Sequence, residues 1–516
     1  MASHSHELLL VTLAFLSLLV IRTFFRRQYN SSGLPYPPGP PPTFIFGNLF
    51  DVPKKRAPFA FAEWSKRYNS EIVSFHIPGS HTIIINSAKV AKVIFEQRSS
   101  IYSDRQHHEM LYLTGWDLNF AFMRYGPSWR AHRRIVHQYF RSDAMEKFYP
   151  LLVCRNNQLL QNLLRDPENV VDQLKHHAGS LPMKLSYDYN IDANGDPLIQ
   201  KVEESMSVLA QIMIPGHFLV ESYPFLARLP EWIPGISGFK ACTRKTRVLN
   251  YSIENELFEK TKNQIAAGTP PPSLLADALH KNNQGEPGEF VIKRAFATIH
   301  VAAADTSMAA LTGAMVALIH HPHVQARAQA EIDLIVGRDR LPNFTDMDEL
   351  PYVSAICREV MRWKLVTPMA VSHAAVKDDI FEGYFIPKGS TVVGNSWAIL
   401  HDPELYPDPE RFHPERFLTP GGTLNDDEIL ASFGFGRRIC PGRHLASATL
   451  WLSVVYLLAV FDIVKMKDEK GKDIEVTTEW VDSGISRPMP FQCTVRPRDA
   501  RAVDLIQSLD VSVPVS

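Results

Sequence analysis

The apolar pattern along the chain changes character several times. From Leu8 to Ile21 it is an unbroken run, LLLVTLAFLSLLVI, without a charge. Arg22 follows, then Thr23-Phe24-Phe25 and the pair Arg26-Arg27. Fourteen uncharged residues fall short of the roughly 20 that span a bilayer, but a snorkelling Arg22 extends the stretch to Phe25. Residues 1–27 therefore predict a membrane anchor. Its positive charge follows the apolar run, which places the rest of the chain in the cytosol. A cleaved secretory signal wants a basic leading segment and a small-residue cleavage site, and neither is present. Gly33–Pro42 reads GLPYPPGPPP, so residues 28–42 predict a stiff extended hinge.

Beyond the hinge the period becomes helical. Glu289 to His321 has helical spacing, abundant alanine and no internal proline, and it stops before Pro322. Pro351–Trp363 and Arg443–Val460 also read as helices. Short β-rich runs occur at Ile72–His76 with Thr82–Ile85, at Gly383–Ile386 with Thr391–Val393, and near the C-terminus. Length alone allows about three domains. No repeat or low-complexity break interrupts residues 43–500, and apolar periodicity resumes on both sides of the proline-rich loop Thr269–Ser273. The expectation is one large domain, mainly α with small β-sheets (α+β), followed by a tail over residues 501–516.

Charge excludes some partners. The 54 basic and 55 acidic side chains give a formal charge of −1, and no long basic run appears, so nucleic acid is not expected. Five widely spaced cysteines, Cys154, Cys242, Cys357, Cys440 and Cys493, contain no CxxC. That is neither a disulfide framework nor a zinc site, and it suits a reducing compartment. The sequons at Asn30, Asn250 and Asn343 are expected to stay unglycosylated in the cytosol.

One cysteine has a distinctive setting, Phe433-Gly434-Phe435-Gly436-Arg437-Arg438-Ile439-Cys440-Pro441-Gly442. Two glycines permit a tight turn with positive φ, and Gly442 lets a flat ligand approach the backbone. Cys440 precedes an apolar helix, whose first amides, with Arg437 and Arg438, favour a thiolate. A lone thiolate suits a metal whose other ligands come from a cofactor, and haem iron is such a case. A buried structural cysteine in a glycine loop is the plainer alternative for an arbitrary cysteine.

The pattern F-x-x-G-x-R-x-C-x-G resembles the haem-binding signature of the cytochrome P-450 superfamily. The resemblance implies haem b, its iron ligated by the Cys440 thiolate, between a long central helix and the cysteine loop, with Phe433, Arg438 and Gly442 around it. It extends to Glu359-Val360-Met361-Arg362, where Glu and Arg at i, i+3 share a helix face. Two segments, Pro409-Glu410-Arg411-Phe412 and Pro414-Glu415-Arg416-Phe417, resemble the family's P-x-R-F. The spacing to the cysteine loop selects the second, giving a structural triad of Glu359, Arg362 and Arg416. Ala302-Ala303-Ala304-Asp305-Thr306-Ser307 resembles the oxygen-binding motif, with Ala303 in place of the usual glycine. By resemblance Asp305 and Thr306 relay protons; otherwise Thr306 back-bonds to its own helix. Trp129 and Arg133 match W-x-x-x-R and imply contact with a haem propionate. His373 stands where many members have Pro-His or Pro-Arg, although Ser372 replaces the proline. Glu221–Leu226 and Leu229–Gly235 resemble fungal secondary-metabolism members of the O-methylsterigmatocystin oxidoreductase type.

The resemblance implies monooxygenation at the endoplasmic reticulum membrane. Oxygen comes from O2, electrons from an NADPH-cytochrome reductase, and the substrate is a hydrophobic terpenoid or polyketide-like molecule. Arg130, Arg134, Arg437 and Arg443 form either a reductase-docking face or a solvated surface. The expected pocket walls are Trp116–Phe122, Ile212–Phe225, Phe296–Val301, Val366–Val371 and Ser483–Met489. Two other readings stay open: a haem-thiolate isomerase or dehydratase needing no reductase, and a membrane haem sensor or carrier.

Overall fold

The computed structural model describes residues 12, 15–17, 32–44, 46–77, 79–192, 195–214, 216–282 and 288–512. The anchor expected over residues 1–27 lies almost wholly outside them, and the described part comprises Thr12 and Phe15–Ser17, which are helical. The Phe15 ring lies 6.3 Å from that of Phe225. Among the described residues, two helices are long and apolar enough to cross a bilayer, Glu289–His320 and Arg443–Val460. Both have over half of their most apolar stretch packed inside the protein, and both belong to its main hydrophobic core.

The central helix, Glu289–His320, organises that core. It ends one residue earlier than its periodicity predicts: His321 is non-helical (φ −126°, ψ 65°) because it precedes Pro322, which opens the next helix. Val170–Tyr187, Pro127–Phe140 and Arg443–Val460 pack around it. Ala500–Gln507 is also a helix, with Ala502 and Ile506 buried in the main core.

The small sheets lie beside this helical body. β1 (Ile72–Ile77) pairs antiparallel with β2 (Ser80–Ile85). β2 then pairs parallel with β6 (Thr391–Gly394), and β6 antiparallel with β3 (His373–Ala374). The expected partnership of Gly383–Ile386 with Thr391–Val393 does not form. β5 (Tyr384–Ile386) instead pairs with β4 (Asp379–Phe381). Their link is the two-residue turn Glu382-Gly383, with φ of 50° and 80°. Positive φ at both turn positions matches the twist of an antiparallel pair. Beyond it the Pro387–Ser390 turn, with Gly389 at φ 81°, leads the chain away to β2. β7 (Phe461–Lys465) and β8 (Cys493–Pro497) close the C-terminal sheet.

The second half of the proline hinge is docked rather than free. The Pro38 carbonyl accepts from the Ser74 amide at 2.8 Å and the Pro37 carbonyl from the Ser74 hydroxyl at 2.6 Å. A Cβ at Gly39 would lie 1.8 Å from the Ser74 carbonyl oxygen, so only glycine allows this approach. Of the described sequons, Asn250 is buried, its amide donating to the Thr114 carbonyl at 3.0 Å. Folding alone therefore bars a glycan there, which leaves exposed Asn343 as the informative position for topology.

Candidate active site

Local backbone chemistry builds the cysteine loop. Gly434 has φ 89° and Gly436 φ 52°. A Cβ at Gly436 would meet the Phe95 carbonyl oxygen at 2.0 Å, so the position demands glycine on two counts. The turn closes with the Cys440 amide donating to the Phe433 carbonyl at 2.9 Å. Phe435 locks the loop from behind, stacked on Phe95 with ring centres 5.0 Å apart. Gly442 behaves differently from its neighbours. Its φ of −90° suits any residue, and a Cβ there would lie 4.0 Å from the Cys440 sulfur.

Cys440 is half-buried, and burial pushes its thiol above the ordinary range. The Gly442 amide, Arg133 and Arg443 pull in the opposite direction. This corrects the expected thiolate environment in two respects. Burial outweighs the favourable contacts of the protein alone, and the stabilising cations are not Arg437 and Arg438. Arg437 reaches outward to the Tyr125 hydroxyl at 3.0 Å. Arg438 turns away, donating to the carbonyls of Ser103 and Met123, each at 2.8 Å. Arg133 stands closest to the loop, donating to the Ile439 carbonyl at 2.6 Å.

The other cysteines sit in plainer surroundings. Cys493 lies in β8, where burial alone raises it to about 12, and burial alone likewise raises Cys357. Cys154 donates to the Val511 carbonyl at 3.2 Å. Cys440 is distinguished by a backbone amide and two guanidinium groups acting on its sulfur.

The central helix has an unusual middle. Ala295–Val301 and Leu311–Ile319 are buried, yet Ala302–Met308 stay accessible within a core helix. Protein interiors are close-packed, so this stretch borders an internal space. Thr306 lies there, its hydroxyl donating to the Ala302 carbonyl at 2.9 Å. That is the back-bond weighed from sequence, and the Ala303 carbonyl lies 3.4 Å from the same hydroxyl. Burial raises the Asp305 carboxyl above the usual range; Arg487 opposes this, Glu203 adds to it and Lys175 opposes it.

A second cluster gathers cations. Arg105 and Arg438 are both buried and close enough to repel each other. Arg105 donates to the carbonyls of Ala121 (2.8 Å), Val371 (2.9 Å) and Ser372 (2.8 Å). Arg438 stacks over Trp129 at 4.3 Å, and its buried Nη1 has no hydrogen-bond partner among the described residues. His373 is buried beside them, donating from Nδ1 to the Tyr102 carbonyl at 2.7 Å. Burial, then Arg105, hold its ring well below the ordinary histidine range, so it is neutral. The nearby carboxylate, Asp104, is engaged by Arg124 at 3.0 Å and by the Tyr125 amide at 2.6 Å. Arg105 has no counterpart in the motifs read from sequence: nothing in its local pattern distinguishes it from a surface arginine.

Glu359 and Arg362 are fully buried, joined by two bonds of 2.6 and 2.9 Å. Arg416 approaches the same carboxylate at 3.3 Å, and the His413 amide at 2.8 Å. Arg362 also donates to the carbonyls of Leu400 and Pro409. Arg416 does the same to those of Pro407, Asp408 and Arg411. The group ties its helix to the segment leading into the cysteine loop.

Comparison with known proteins decides what this arrangement is. The cytochrome P450 family model matches residues 37–494. The chain belongs to the cytochrome P450 family. It is 39% identical over 510 residues to cytochrome P450 monooxygenase 98 of Postia placenta, covering 96% of this chain and 98% of that one. It is 38% identical to the Armillaria gallica cytochrome P450 monooxygenase ARMGADRAFT_974139, covering 98% and 100%. It is 34% identical to tryptamine 4-monooxygenase of Psilocybe cyanescens, covering 92% and 94%. This P450 is therefore an oxidoreductase of a family that uses haem with a cysteine thiolate ligand, O2, a hydrophobic substrate and a redox partner.

The residues present fit that cofactor. A dicarboxylate macrocycle would supply the anion that Arg105 and the orphaned Arg438 Nη1 lack. A metal–sulfur bond would stabilise the thiolate that burial alone disfavours. The expected pocket walls come together unevenly. Trp116, Ile212, Val220 and Val301 share one apolar cluster with Phe122 and Phe218. Phe296 does not join them; it is buried in the main core between Tyr139 and Tyr187, at 6.1 and 6.3 Å.

Proposed function

We propose that this P450 is a membrane-anchored haem-thiolate monooxygenase that hydroxylates a hydrophobic secondary metabolite of terpenoid or polyketide type. The observation that carries the site assignment is the Cys440 loop with its glycine-dependent turn, taken with the accessible middle of the central helix. Bound haem supplies oxygen activation and the oxidising power. Cys440 holds the iron. Arg438, Trp129, His373, Arg133 and Arg105 orient the macrocycle through its carboxylates. Phe433 and Gly442 border the sulfur. Asp305 and Thr306 would deliver protons to the reacting oxygen, burial raising the Asp305 carboxyl above the usual range and so favouring its protonated form. Retention of this acid–hydroxyl pair favours oxygen chemistry over isomerisation or passive haem carriage.

Electrons come from an NADPH-cytochrome reductase. Arg130 and Arg437 gather on Tyr125, with Arg134 exposed nearby on the same helix and Arg443 beside Cys440. This basic face on the cysteine side suits an acidic partner. Residues 1–27 hold the enzyme on the endoplasmic reticulum membrane, single-pass, with the catalytic domain cytosolic.

The carbon monoxide spectrum of the reduced protein tests the reading. A strongly red-shifted Soret band is expected for the wild type and for Cys493→Ala, and its loss for Cys440→Ala. Persistence of that band in Cys440→Ala defeats the ligand assignment.

A further inference from the structure

The segment from Val476 to Met489 brings an unpaired cation to the site. The Val476 carbonyl lies 2.9 Å from the His320 ring nitrogen at the end of the central helix. Four residues on, the tip of the Trp480 ring stands 2.9 Å from where a Cβ of Gly313 would be. The segment thus runs back along the helix toward Thr306, which shares a face with Gly313 two turns away. It then folds on itself. The Val481 amide donates to the Arg487 carbonyl at 2.8 Å, and the Met489 amide to Glu479 at 3.0 Å. Trp480 and Pro488 form an antiparallel bridge. The Ser486 amide donates to the Val366 carbonyl at 2.7 Å, joining this hairpin to another expected pocket wall.

Arg487 therefore sits between Val366 and the accessible stretch of the central helix. It is exposed, and its guanidinium makes no hydrogen bond or ion pair among the described residues. Of the hairpin's two carboxylates, Asp482 accepts from the Arg56 amide, and Glu479 makes no ion pair with Arg487 among the described residues. Asp305 is near enough to feel Arg487 but is not ion-paired with it, and burial makes it a poor counter-ion. Glu203 and Lys175, the other charges that face Asp305, are occupied with each other at 2.5 Å. Apolar residues adjoin it: Ile485 two positions earlier in the hairpin, and Val366, whose carbonyl accepts from the neighbouring Ser486 amide. A guanidinium in such a setting is best satisfied by a ligand carboxylate, which matches its planar fork.

We infer that Arg487 is a specificity-determining residue that anchors the carboxylate of an amphiphilic substrate, making hydrophobic carboxylic acids the preferred class. This deepens the monooxygenase reading and rests on it. Three acids of different shape (dodecanoic, abietic and 4-phenylbutyric) and their methyl esters are titrated into the haem-loaded full-length protein in phosphatidylcholine nanodiscs. Binding is read by the Soret shift and by equilibrium dialysis. At least one acid is expected to bind about tenfold more tightly than its ester, as a charge-assisted hydrogen bond provides. Arg487→Gln should erase that advantage while leaving ester affinity unchanged, and Arg487→Lys should keep part of it. The inference is overturned if no acid outperforms its ester, or if Arg487→Gln weakens acid and ester alike. A wild-type protein without the red-shifted carbon monoxide band signals failure of the underlying reading instead.

Discussion

Two buried charge clusters of this P450 differ in one respect that separates scaffold from site. Around Glu359 every strong donor has an acceptor: Arg362 and Arg416 share the carboxylate, and backbone carbonyls take their remaining protons. Around Arg438 the balance fails. Two buried guanidinium groups face each other, the neighbouring carboxylate is committed elsewhere, and one nitrogen has no partner among the described residues. Burial of ions is costly unless they are paired. A self-satisfied cluster stabilises the fold, whereas an unbalanced one is able to take up an anion.

The comparison breaks most readily at Glu359. Glu359→Ala leaves two buried cations uncompensated and should cost about 3–5 kcal/mol, a large share of domain stability. Little soluble haem-loaded protein is expected, as read by the haem-to-protein ratio after size exclusion. Arg438→Ala should act with the opposite sign on the haem-free protein. Removing one of two repelling cations should raise its melting temperature, or at least spare it, whereas haem retention should fall by roughly tenfold or more. A parallel loss of both quantities would erase the distinction between the clusters.

Asp305 sharpens the contrast through pH. Its folded pKa is raised above the unfolded value, so folding favours its protonated form. The contribution is complete below the unfolded carboxylate range and turns into a loss as pH rises through the folded value. Asp305→Asn should therefore be slightly stabilising at neutral pH, measured by thermal melts at acid and neutral pH. Turnover should nevertheless fall by on the order of a hundredfold. For Thr306→Ala the readout is coupling, with more peroxide released per NADPH consumed; full coupling would remove it from the relay. The smallest effect belongs to the surface. Arg130→Ala and Arg134→Ala should slow reduction several-fold at low salt, in stopped-flow measurements, and the difference should fade as salt rises.

Much of the site is legible in the sequence because its parts are local. The Cys440 turn depends on Gly434 and Gly436 within six residues, and Glu359 and Arg362 are neighbours on one helical face. Spacing selects Arg416 over Arg411, and the structure brings Arg416, not the Arg411 side chain, to Glu359. Other features are not readable. Arg105 looks like any arginine until the fold buries it against Ala121 and Val371. The β4–β5 hairpin escapes the sequence pattern because the Glu382-Gly383 turn reads as the start of a strand. Phe296 and Val301 both belong to an apolar helical stretch, and packing alone sends one to the core and the other toward the pocket.

The amino-acid sequence by itself determined the family, the central helix and the glycine turn that carries Cys440. Each rests on residue types at fixed short spacing, which backbone geometry converts directly into proximity. The tertiary structure alone decided which cations surround the sulfur, that burial opposes the thiolate, where the charge balance fails and where Arg487 comes to lie. Those depend on desolvation and on distances between residues far apart in the chain, and neither is encoded in local spacing.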